Sequence, residues 1–119
     1  MNKSTPLVKK QCQPCEGIGD PLDQNQANDL LKSVEGWSIE KDGKHISKKY
    51  IAKNFMAAVN FIQKVAVIAE AEDHHPDIHL TGYRKLEIDL STHAIGGLSE
   101  NDFIVAAKIN DLPIELKDN

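Results

Sequence analysis

A chain of 119 residues, 40% hydrophobic and 27% charged, has the size and make-up of one ordinary folded domain, which excludes a disordered chain and a disulfide scaffold. A chain this long can bury about two-thirds of the surface its unfolded form exposes, so a core needs no covalent staples. Fourteen basic against eighteen acidic residues leave a net charge of -4, the wrong sign for a protein that gains affinity by neutralising phosphates, and this argues against a nucleic-acid partner. The most apolar stretch, 55–71, is interrupted by Asn60, Gln63, Lys64 and Glu70 and falls short of the roughly 20 apolar residues that cross a bilayer, so no membrane association is expected. No apolar segment follows Lys9 and Lys10 to make a secretory signal, and the expected address is cytoplasmic.

Residues 1–22 carry Pro6, Pro14, Gly17, Gly19 and Pro21 without an apolar period, and are expected to form a flexible N-terminal arm, mobile or loosely docked. The arm bears Cys12-Gln13-Pro14-Cys15, at most half a zinc site or a redox motif out of its strand–helix context, and the two thiols read as reduced surface groups. Residues 23–119 are expected to form a single domain. From Asp23, Ala27, Leu30, Leu31 and Val34 fall at helical offsets, and Gly36 stands where a helix stops. Trp37, Ile39 and Lys41 then alternate with polar residues, Asp42-Gly43 supplies a tight turn, and Ile46 to Ile51 reads as the returning strand. Asn54 can cap a long helix whose apolar positions Phe55, Val59, Ile62, Ala66 and Ala69 recur at three- and four-residue steps, ending before Pro76.

A second hairpin follows, with Ile78 and Leu80 opposite Leu86, Ile88 and Leu90 around a turn near Gly82. Ser99, with Asp102 three residues on, caps a last helix carrying Phe103, Ala106, Ala107 and Ile109. Helix, two strands, helix, two strands, helix predicts a two-layer α+β domain: a four-stranded antiparallel sheet with helices packed on one face. An open opposite face and an unpaired sheet edge suggest a homo-oligomer, a dimer or a tetramer.

Four of the five histidines, His74, His75, His79 and His93, lie within twenty residues, interleaved with Glu70, Glu72, Asp73 and Asp77. A metal is not expected: His74 and His75 are adjacent and point apart, and Pro76 breaks the helical spacing from His75 to His79. Proton transfer fits better, since imidazoles from a helix end and a strand end can reach opposite sides of one small substrate. Taken singly, His79 reads as a strand surface residue, Glu72 as a solvated helix residue, Asp102 as a helix-start carboxylate and Trp37 as hairpin core. There is no Gly-rich phosphate loop in strand–helix context and no nucleophile elbow at Ser91 or Ser99, so neither a nucleotide cofactor nor an acyl-enzyme is expected.

The run Glu70-Ala71-Glu72-Asp73-His74-His75-Pro76, then Tyr83, Ser91-Thr92-His93 and Gly97 to Asp102, resembles the pterin-4a-carbinolamine dehydratases. The likeness extends from Asp23 to about Ile114 and includes Gly36-Trp37. It implies dehydration of 4a-hydroxytetrahydropterin to quinonoid dihydropterin, recycling the cofactor of aromatic amino acid hydroxylases, with no metal and no cofactor. It further implies that His74, His75 and His93 are catalytic, and that Glu70, Asp73, Asp102 and Trp37 bind or orient. The segment from Pro76 to His93 is one residue longer than in many relatives, near Gly82, and Asn101 stands where animal members have arginine. The rival readings are a non-catalytic protein-binding or transcription-coactivator module, and a pterin-binding protein of molybdopterin-related metabolism.

Overall fold

The computed structural model describes residues 6–14 and 19–118. Three helices, α1 (Gln24–Leu31), α2 (Phe55–Glu72) and α3 (Glu100–Asn110), accompany four strands, β1 (Ser38–Ile39), β2 (Ile46–Ile51), β3 (Asp77–Thr81) and β4 (Lys85–Leu90). The strands make one antiparallel sheet in the order β1-β2-β4-β3, the α+β architecture expected from the element order.

Local chemistry sets the helix starts. The Asn54 side chain accepts from the Ala57 N–H at the head of α2, and Asp23 and Ser99 each close a capping box, at α1 and α3. The predicted strand from Trp37 is cut to two residues because Trp37 turns into the core, where its indole N–H donates to Asn110 Oδ1 at 3.0 Å. The sheet registers pair Tyr50 with Leu86, Lys48 with Ile88 and Ile46 with Leu90, and β3 adds Ile78 and Leu80, so one face is apolar apart from Lys48. At the tip of the β3–β4 hairpin Gly82 and Tyr83 both take left-handed conformations. The ladder from Asp77–Asp89 to Thr81–Lys85 stays unbroken.

The buried side of α2 differs from the one expected. Ala57, Ala58, Phe61, Val65 and Ala69 are buried, while Phe55, Met56 and Val67 lie exposed. The helix is apolar on most of its circumference, so two overlapping stripes satisfy the helical period and tertiary packing chooses between them. Phe61 settles the choice by seating against Tyr50, ring centroids 5.1 Å apart; burying such a ring stabilises by about 1.5–3 kcal/mol. Helix α3 is enclosed on nearly every side, with Asn101 to Ala106 and Ile109 all buried.

The described part of the arm is docked. Residues 6–14, expected to be flexible, lie against α3: Leu7 is buried in the core, Lys108 Nζ donates to Val8 O at 2.8 Å, and Lys10 pairs with Glu100 at 2.8 Å. Cys12 is half-buried, not a surface thiol, and burial together with the charge of Glu72 pushes its pKa up to about 12. Cys15 lies outside the described residues.

The sheet's open face carries Asp77, His79, Glu87 and Asp89. His79 donates to Asp89 at 3.1 Å, yet burial and then the neighbouring Glu87 raise the Asp89 pKa to about 6. An unfolded aspartate titrates near 3.9, so the folded state binds more protons between those values, and this residue's contribution to stability falls as pH rises from about 4 to about 6. Asp89→Asn should flatten that decline and, after allowing for solvent screening, stabilise the fold by up to about 1 kcal/mol at pH 7.5, as read by urea denaturation at pH 4.5 and 7.5.

Candidate active site

The C-terminal end of α2 turns back on itself at Asp73, whose φ of 51° is left-handed. The N–H of His74 then donates to Ala69 O at 3.1 Å, the closure that ends a helix in a left-handed cap. Asp tolerates this conformation better than most residues. The reversal sends the next two side chains apart: His74 is buried, 6% exposed, while His75 stays in solvent.

His74 Nε2 donates to Asp102 Oδ1 at 2.7 Å across the seam between α2 and the start of α3. Asp102 is fully buried, and its other oxygen accepts from Thr92 Oγ1 at 2.9 Å and from the Ser99 N–H at 3.0 Å. Thr92 and Ser99 hydroxyls meet at 2.7 Å, and Ser99 Oγ accepts from the Asn101 N–H at 3.2 Å. One carboxylate thus caps α3 with one oxygen and holds an imidazole with the other. An ionised carboxylate only accepts, which places the His74 proton on Nε2 and leaves Nδ1 as the ring nitrogen outside this pair.

Glu70, five residues before His75 on the last turns of α2, accepts from His75 Nε2 at 2.5 Å. His93 follows Thr92 directly, opening the 3-10 turn His93–Ile95, and is exposed. The arrangement therefore links His74 to Asp102, sets His75 with Glu70 beside it, and ties His93 to the same network through its chain neighbour. Asp73 contributes its left-handed backbone. Trp37 is not brought to this cluster: it sits in the core at Asn110, about 12 Å along the α3 axis from Asp102. His79 is likewise apart, on the open face of the sheet.

The residue reading missed Thr92, whose signal was present: Leu86, Ile88, Leu90 and Thr92 continue one inward-facing series at steps of two. It also misread Glu72, which is 12% exposed by its side chain and accepts from the Cys12 N–H at 2.8 Å. Among the described residues no three His, Cys, Asp or Glu side chains are grouped to hold a metal ion. A cavity of about 180 Å³ lies away from the histidines, between α2 and the C-terminal tail, lined by Ala57, Phe61, Lys64 and Ile114.

The site residues thus comprise one histidine buried on a carboxylate and two exposed histidines on segments that adjoin that pair in the chain, all within a small α+β domain. Residues 20–112 match the family model described as Pterin 4 alpha carbinolamine dehydratase, and the chain belongs to that family. It is 49% identical, over 89% of its length and 91% of the relative's, to a protein of Nitrosospira multiformis named after the same dehydratase. It is 45% identical to pterin-4-alpha-carbinolamine dehydratase 2, mitochondrial, of Arabidopsis thaliana, over 92% of this chain and 60% of that longer one. Among solved structures it is similar to the transcriptional coactivator/pterin dehydratase from Brucella melitensis. The TM-score there is 0.71 at 30% identity, covering 76% of this chain and 96% of the other. No helix among the described residues is long and apolar enough to cross a membrane.

Proposed function

We propose that this chain dehydrates 4a-hydroxytetrahydropterin to quinonoid dihydropterin, restoring the pterin after aromatic amino acid hydroxylases have used it. The observation that carries the reading is the buried His74–Asp102 pair at 2.7 Å, tied to Thr92, the residue before His93. In the reaction the bond from C4a to the hydroxyl oxygen breaks, the oxygen takes a proton and leaves as water, and the N5 proton departs as the C4a–N5 double bond forms. Only proton donors and acceptors are required. His75, oriented by Glu70, is assigned to the hydroxyl, and His74 or His93 to N5; Asp102 keeps His74 in one tautomer.

Stopped-flow turnover of freshly generated carbinolamine tests this. The purified chain should accelerate water loss, and added chelator should leave the rate unchanged. A rate restored only by zinc would require a metal mechanism instead.

A second reading is favoured by one observation: Phe55, Met56 and Val67 are exposed on α2, an apolar surface suited to a protein partner or another copy of this chain. The name of the Brucella structure joins coactivator to dehydratase. A chain with no turnover in the same assay would favour a non-catalytic binding role.

A further inference from the structure

We propose that the N-terminal segment 6–14 is a strap that positions the His74–Asp102 pair, with Glu72 and Asn101 as the two side chains that grip it. The segment runs antiparallel to α3, from Lys108, which holds Val8 O, to Glu100, which holds Lys10. At its far end it crosses the seam between α2 and α3. There the Cys12 N–H donates to Glu72 Oε1 at 2.8 Å, on the last residue of α2. One residue later the Asn101 side chain takes both backbone groups of Gln13: its Oδ1 accepts from the Gln13 N–H at 2.9 Å and its Nδ2 donates to Gln13 O at 2.8 Å.

Consecutive strap residues are therefore bonded to opposite walls of the seam that the His74–Asp102 bond also spans. Glu72 lies two residues before His74, and Asn101 one residue before Asp102. Asn101 is 2% exposed, and a buried amide needs partners for both its groups; the Gln13 backbone provides one for each. Glu72 is further held by Lys108 at 3.6 Å, the same lysine that fixes Val8. Releasing the strap removes the bridge through Cys12 and Gln13 and leaves the end of α2 joined to α3 at this seam by the Glu72–Lys108 pair and the His74–Asp102 bond. The imidazole and its carboxylate come from those two ends, so their alignment depends on this closure. A misplacement of about 1 Å in such a pair is enough to cost up to about 10²-fold in rate.

Only the kinetic part of this inference rests on the proposed dehydratase activity. In the full-length chain, Asn101→Ala and Glu72→Ala should each lower kcat for dehydration about tenfold, with KM within about twofold, at temperatures well below each variant's melting midpoint. The proton resonance of His74 Nε2–H should be sharp and exchange-protected in the parent chain and shifted or broadened in both variants. Glu72→Gln, which keeps the acceptor for Cys12, should restore both readouts. Variants with the parent's kcat, or with reduced kcat and an unaltered His74 resonance, would overturn the strap. A parent chain without dehydratase activity would instead sink the functional reading, and the resonance alone would then judge the strap. If Asn101→Ala fails to fold, the Glu72 pair of variants decides.

Discussion

Asp102→Asn is expected to lower dehydration turnover by about 100-fold or more in a chain that still folds. The two oxygens of Asp102 face different donors: one faces His74, the other both Thr92 and the Ser99 N–H. An asparagine oxygen at the second position keeps two bonds and the α3 cap, so the amide nitrogen must face His74. Two donors cannot share a hydrogen bond, so His74 is driven to carry its proton on Nδ1 and accept at Nε2. The nitrogen left for the substrate then has its proton state reversed, and the rate falls although the geometry is nearly kept. Nitrogen-15 chemical shifts of the His74 ring report the tautomer directly, and a variant with the parent's tautomer and rate would refute this account.

The same residue predicts a separate stability effect. Asp102→Ala strands three buried donors at once, the His74 ring, the Thr92 hydroxyl and the Ser99 N–H, and also removes a helix cap. Breaking a buried charge-assisted network of this kind costs about 3–5 kcal/mol, a large share of the about 5–15 kcal/mol that holds a small domain together. Urea midpoints should place Asp102→Ala far below Asp102→Asn, which loses about 1.5–3 kcal/mol for its one exchanged bond.

Features set by nearby residues were legible in the sequence. The caps at Asn54 and Ser99, the Asp42-Gly43 turn and the alternation of Leu86, Ile88 and Leu90 all act within a few residues, and each appears where expected. The buried stripe of α2 was not legible, because nothing in a helix apolar nearly all round distinguishes Val59 from Phe61 until the sheet supplies Tyr50. The docked strap was hidden for a different reason. Its attachments join backbone groups of Val8, Cys12 and Gln13 to side chains 60 to 100 residues away, and backbone donors leave no mark in composition or period. At the site, resemblance named His74 and Asp102 but not their bond. That bond depends on the left-handed turn at Asp73, which a residue other than glycine rarely announces.

The exposed histidines offer the sharper test of chemistry, because their loss should leave the fold untouched. His75 is 57% exposed by its side chain and His93 is also on the surface, so His75→Ala and His93→Ala should each shift stability by no more than about 0.5 kcal/mol. Each should nevertheless lower carbinolamine turnover at least about tenfold, since a positioned acid or base contributes about 10²–10⁴-fold. If one imidazole gives a proton to the leaving oxygen while the other takes the N5 proton, both act in the same transition state. The double variant should then lose less than the product of the single losses, as groups that work as a unit do. A bell-shaped pH–rate profile should also lose one limb in His75→Ala and the opposite limb in His93→Ala. Parent rates in the double variant would refute a catalytic role for either ring. Loss of the same limb in both would instead place the two imidazoles on one side of the pterin, leaving His74, held by Asp102, as the group that serves the other.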